Sequence, residues 1–303
     1  MIKFITITND FGEQIKVTLN DIEPSTGLFI TKIEGLGPVK ADIKMTDLAA
    51  QDGSIHNLSK ANTRNIVITF QFIANSIEDA RQITYKYFPL KRKVTFHIET
   101  DNRIAEVQGY VESNEPDIFS DKAETAQISI VCESAWFNDA SPDGIQILPF
   151  SDIVSLFEFE FSDDNSPSIE FSSIELKREN KLVYKGEADT GVVMVIYAYG
   201  PFTNPTIYNN VTREKLVLDT SKIAKVVGSG VQAGDEIWIS SVKNDKYIKY
   251  VREGRSYNIL NSLDKDAAWF TVHPGENIFS YTAESGELNM VFEIKAQVLF
   301  QGV

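Results

Sequence analysis

Between residues 65 and 72 the chain reads Asn-Ile-Val-Ile-Thr-Phe-Gln-Phe, with Ile66, Ile68, Phe70 and Phe72 on one side of a two-residue period and Val67, Thr69 and Gln71 on the other. Such alternation suits an extended strand with one face in a core, and it scatters the same residues around a helix. The pattern returns at Val94, Phe96 and Ile98, at Ala105, Val107 and Val111, and at Ile128, Ile130 and Cys132. These runs predict strands that share one core. A chain patterned in this way is committed to a mainly β fold.

One segment breaks the period. Ile77, Ala80, Ile83, Thr84, Tyr87 and Phe88 recur at helical spacing, Ser76 stands at the N-cap with Asp79 three residues on, and Pro89 stops the run. The spacing predicts a helix over 76–88. A lone helix among strands most economically covers an open end or face that the strands cannot close themselves.

A chain of 303 residues is long enough for two cores. Around 138–150 the alternation lapses into Asn-Asp-Ala-Ser-Pro-Asp-Gly and a second proline, so the sequence predicts a domain over 1–140, a linker over 141–150 and a second domain over 151–303. Short strand-like runs punctuated by Gly, Pro and Asn fill the second domain, the sequence form of a β-sandwich. Residues 40–64 have little strand periodicity and many polar groups, and are expected to form a long arm. Asp52, Gly53, Ser54, Arg64 and Asn65 are the residues expected to grip a neighbouring copy; a mobile surface loop is the alternative.

The net charge of −14 argues against a surface that gathers nucleic acid, because such a surface needs clustered Lys and Arg. A single cysteine, Cys132, leaves no intrachain disulfide, and its strand-like flanks make it a small buried hydrophobe. The first ten residues lack the pattern of a secretory signal, and the longest charge-free run, 190–212, is broken by prolines and cannot span a bilayer. A chain made and folded in a cytoplasm, without a membrane partner, is expected; the Asn-Leu-Ser (57–59) and Asn-Val-Thr (210–212) sequons are then chance matches.

His56, His97 and His273 lie in patterns that suggest solvated side chains, with no metal or base–nucleophile spacing. Gly35-Leu36-Gly37 lacks the third glycine and following helix of a dinucleotide fingerprint. The acidic run 162–166 lacks the ligand register of a calcium loop. No catalytic residue, cofactor or metal is expected. Trp238 lies between Ile237 and Ile239, so if those point inward it points outward, as a possible sugar platform; Trp269 is ambiguous, and packing is the better reading for both.

Residues 30–43, Ile-Thr-Lys-Ile-Glu-Gly-Leu-Gly-Pro-Val-Lys-Ala-Asp-Ile, followed by 52–72 and then a helix and strands, resemble the N-terminal domain of the siphophage-type distal tail (Dit) family. Residues 234–294 and the final Gly-Val resemble its C-terminal galectin-like sandwich. The resemblance implies a tail-tube-like sandwich or barrel with one helix that assembles into a homo-hexameric ring at the distal end of a phage tail tube. It implies a hub for the baseplate or tail tip, with DNA passing through the lumen unbound. The partners it implies are the tail tube protein, a tail-tip hub protein and a receptor-binding or adhesin protein borne on the second domain, in a virion assembled in the host bacterial cytoplasm. Acidic residues facing such a lumen would repel phosphates. Two other readings compete: a carbohydrate-binding module for the host cell wall, and a glycoside hydrolase, which needs two carboxylates across a cleft.

Overall fold

The computed structural model describes residues 1–18, 27–48, 52–72, 77–117, 125–155 and 172–303. The chain forms two compact units, Met1–Gly144 with Leu299–Val303, and Ile145–Val298. By connectivity the second unit is an insertion in the first. Within the linker expected over 141–150, residues 145–149 are strand, and residues 299–303, expected in the second domain, belong to the first unit.

The first unit contains β1 (Ile2–Asn9), β2 (Gln14–Val17), β3 (Leu28–Glu34), β4 (Ala41–Asp47), β5 (Ser54–Ala61), β6 (Arg64–Phe72), α1 (Ile77–Tyr87), β7 (Lys93–Thr100), β8 (Ile104–Pro116), β9 (Thr125–Cys132) and β10 (Phe137–Asp139). An antiparallel sheet runs in the order β2-β1-β7-β8-β9-β6-β3, and its ends do not meet as a barrel. Short strand β10 pairs with β8 and with Leu299–Phe300.

The alternating residues do what their period requires: Ile66, Ile68, Phe70, Val94, Phe96, Ile98, Ile128, Ile130 and Cys132 all lie in one buried cluster. Each such side chain withdrawn from water stabilises by roughly 1.5–3 kcal/mol for the larger aliphatic and aromatic groups.

Helix α1 lays Ala80, Thr84 and Phe88 on this core, with the Phe88 ring 5.6 Å from that of Phe70. Its last carbonyls are not left bare. Asn114 Nδ2 donates to Thr84 O and Phe88 O, and Asn9 Nδ2 donates to Lys86 O. These bonds answer for the orphan acceptors that every helix end presents. The expected N-cap, Ser76, lies outside the described residues.

The second unit contains β11 (Ile145–Pro149), β12 (Ser151–Ser155), β13 (Ser172–Leu176), β14 (Glu179–Tyr184), β15 (Thr190–Ala198), β16 (Thr206–Asn209), β17 (Glu214–Val217), α2 (Thr220–Val227), β18 (Glu236–Ser240), β19 (Tyr247–Arg252), β20 (Arg255–Asn258), β21 (Thr271–Val272), β22 (Gly275–Thr282) and β23 (Met290–Gln297). The two larger sheets run β11-β23-β15-β18-β19-β20 and β14-β22-β16-β17, while β12 pairs with β13 and β21 with β15. Rings from both meet in the core: Tyr281 lies 5.7 Å from Phe292, and Phe150 lies within 5.7 Å of both.

Helix α2 departs from the expectation that 76–88 would be the one helix. Asp219 accepts from the Ser221 amide at its start, and Gly228 ends it at φ 90°. That left-handed turn is the conformation glycine adopts without penalty.

Candidate functional site

The arm expected as an irregular stretch is a hairpin. β4 pairs with β5 in antiparallel register from Ala41↔Ala61 to Asp47↔Ser54, and the Asn62 amide donates to Lys40 O at its root. The two strands form a sheet of their own, and nearly every residue on them is exposed. A two-stranded ribbon without a core beneath it is marginal in water.

Its side chains are not those of a solvated ribbon. Ile43 is 57% exposed, Met45 56%, Ile55 51% and Leu58 53%. The register places Ile43 opposite Ser59 and Met45 opposite His56, whereas Leu58 faces Lys44 and Ile55 faces Thr46, with the bulge taking up Asn57. Ile43 and Met45 therefore share one face, and Ile55 and Leu58 share the other. The ribbon carries an apolar pair on each face.

Asp52, Gly53 and Ser54 lie at the exposed tip, with Gly53 at φ 98°, a left-handed turn position. Asn65 is exposed at the start of β6, and its Oδ1 accepts from Ser129 Oγ.

Arg64 requires a correction. It is fully buried, so it is not available on an exposed arm. Its Nε and Nη2 donate to Ala135 O at 3.2 and 2.8 Å, Nη1 to Gly35 O and to Gly37 O at 2.8 Å, and Nη2 also to Gln301 O at 2.7 Å. The guanidinium stacks over Phe137, 4.1 Å from its ring centre. The planar fork of an arginine offers five N–H groups, and all five find main-chain carbonyls here. Burial lowers its pKa, the neighbouring Cys132 opposing this, yet a guanidinium so surrounded stays charged. Its role is internal: it holds the root of the hairpin.

In the second unit, Trp238 faces away from its buried neighbours Ile237 and Ile239, as alternation requires. It is half-buried rather than open. Its indole N–H donates to Glu236 Oε2 at 2.7 Å, and the Lys295 ammonium lies 5.4 Å from the ring centre while pairing with Glu293 at 2.8 Å. The bond to Glu293 raises the Lys295 pKa, so the lysine stays a cation over the ring. An aromatic whose polar edge and one face are engaged by its own sheet offers little of the bare platform that stacks on a sugar. Trp269 is similarly half-buried, with Lys246 5.3 Å from its ring.

His273 pairs with Asp189 at 2.9 Å, and His56 meets Ser59 Oγ at 2.6 Å from within β5 rather than from a loop. No cluster of three metal-ligating side chains occurs among the described residues. The acidic run 162–166 lies outside them. No described helix is long and apolar enough to cross a membrane.

Compared with solved structures, the chain is similar to Dit (gp 19.1) of phage SPP1, described as a paradigm of the hub adsorption apparatus in phages infecting Gram-positive hosts. The two are 10% identical over 96% of this chain and 97% of that one, with a TM-score of 0.64. It is also similar to a chain of the phage P2 baseplate in its activated conformation with Ca, at 13% identity, 98% and 100% coverage and a TM-score of 0.50. No protein-family model and no curated protein matches the sequence. The chain has the SPP1 Dit fold over nearly its whole length.

Proposed function

We propose that this protein is a phage distal tail protein that assembles as a homo-hexameric ring at the end of the tail tube and serves as the hub of the baseplate or tail tip. The observation that carries the reading is the hairpin β4–β5, a ribbon with apolar pairs on both faces that the described residues of its own unit leave more than half exposed. A neighbouring copy is the cover that a ring supplies at every position. The full-length fold likeness to a protein described as a hub supports the same role.

In this reading the first unit is the tube-like, ring-forming part, and the tail tube protein and a tail-tip hub protein stack on its two sides. The second unit is a galectin-like platform that docks a receptor-binding or adhesin protein. DNA crosses the lumen without being held, which an acidic chain of net charge −14 favours. The protein acts structurally and without catalysis, in the distal tail of a virion assembled in the host cytoplasm. Mass photometry and negative-stain imaging of the purified chain, together with tail particles, test the ring directly. A chain that stays monomeric at high concentration and shows no six-fold ring in tails would sink the proposal.

A further inference from the structure

We infer that residues 299–303 form a latch that fixes the root of the hairpin β4–β5 and so sets the direction in which the hairpin leaves its unit. That this direction governs engagement with a second copy rests on the reading above; the latch itself does not.

Two short connections, 35–40 and 62–63, join the hairpin to the sheet at the end of β3 and the start of β6. Apart from the Asn62 amide's bond to Lys40 O they lie outside both ladders, so other contacts must hold the rest. Gly35 turns at φ +86°, and a Cβ there would stand 2.0 Å from Asn65 O, so the outgoing chain crosses β6 at closest approach. A groove of about 420 Å³ lies along this crossing, lined by Gly35, Pro38, Val39, Asn62 and Thr63 among others.

Residues 299–303 supply the missing contacts. The Val303 amide donates to Leu36 O at 3.0 Å, and Arg64 bridges Gly35 O and Gly37 O to Gln301 O. Gly302 packs so closely on the turn that a Cβ would stand 3.0 Å from Leu36 O. The segment is itself seated: Phe300 pairs with Phe137 in the ladder, Arg103 donates to Gly302 O at 2.7 Å, and the same guanidinium lies 4.5 Å from the Phe300 ring centre. Phe300 and Val303 pack against the buried cluster from its margin.

Apart from short β10, the strands of the first unit do not use this segment in their ladders, whereas the hairpin root depends on it. Removing it takes an acceptor from Arg64 and a donor from Leu36 O. The hairpin root is then the part left with the lowest opening free energy.

The test is hydrogen exchange of the full chain against a chain lacking 299–303, both diluted until monomeric, followed by assembly titrations of each. Peptides across 35–47 and 54–63 should exchange at least about tenfold faster in the shortened chain, while 66–70 and 128–131 stay within about twofold. Hairpin exchange within twofold of the full chain overturns the latch. If the deletion also loosens the reference strands, Gly302→Val carries the same comparison, since its side chain must push against Leu36 O; unchanged hairpin exchange there overturns the latch equally. A full chain that never assembles, yet shows the difference in exchange, supports the latch while sinking the ring reading.

Discussion

Arg64 donates through Nη2 to the carbonyl oxygen of Gln301 at 2.7 Å, joining positions 237 residues apart. The first strand segment after the hairpin and the last residues of the chain are thereby tied by one buried cation. Replacing Arg64 with Met removes all five guanidinium hydrogen bonds to four main-chain carbonyls. Urea unfolding of the first unit should then show a loss of about 3–5 kcal/mol. Arg64→Lys should lose nearly as much, because an ammonium cannot reproduce the planar fork. Asp52→Ala and Ser54→Ala at the exposed hairpin tip should stay within about 0.5 kcal/mol of the parent.

The two faces of the hairpin can be tested separately. Ile43→Ser with Met45→Ser, and Ile55→Ser with Leu58→Ser, should each weaken assembly by at least about tenfold, as expected when apolar side chains covered in a complex become polar. Neither pair should lower monomer stability. Sedimentation velocity across a concentration series reads the first effect and thermal melting the second; assembly lost from one face alone would show that the ribbon is covered on a single side.

Asp235 should make the second unit acid-sensitive. Burial raises its pKa, but Arg252, Tyr250 and the Gln232 amide outweigh that, and the folded value lies below the ordinary one. A carboxyl depressed by folding contributes stability above its unfolded pKa and loses it as pH falls through the folded value. Stability should therefore decline below about pH 4. Asp235→Asn should flatten that acid limb while lowering stability at neutral pH, measured by urea midpoints across pH.

Cys132 should be inert in the folded chain. Burial pushes its thiol up from about 9 to about 11, with the Arg64 charge opposing. Two pH units mean about 100-fold less thiolate at a given pH, besides the steric cover. Labelling with a disulfide reagent at pH 8 should await unfolding. Because the raised value favours the protonated form in the folded state, that contribution is complete below about pH 9 and lost as pH rises through about 11.

Trp238→Ala should leave host adsorption unchanged, since its indole edge and one ring face already serve Glu236 and Lys295. Titration calorimetry of the full chain with host wall polysaccharide should show no saturable heat. Saturable binding that this substitution abolishes would turn the reading toward a carbohydrate module.

The strands and helix α1 were legible because a core on one side imposes its period on the sequence: Ile66, Ile68 and Phe70, or Ala80, Thr84 and Phe88, read as a buried face before any fold is known. The hairpin was not. Ile43 and Met45 alternate, but the bulge at Asn57 shifts the phase between Ile55 and Leu58, and a ribbon with no core of its own has no dense apolar face to display. Helix α2 is short and buries only Thr220 and Ile223, so its cap residues Asp219 and Gly228 were its clearest signal. Arg64 shows the limit most plainly. Sequence spacing reports periodicity along the chain, and it marks which neighbours face one core. What surrounds a lone arginine is decided by segments brought from positions 35, 37, 135 and 301, and only the folded chain sets four carbonyls from such distances around one guanidinium.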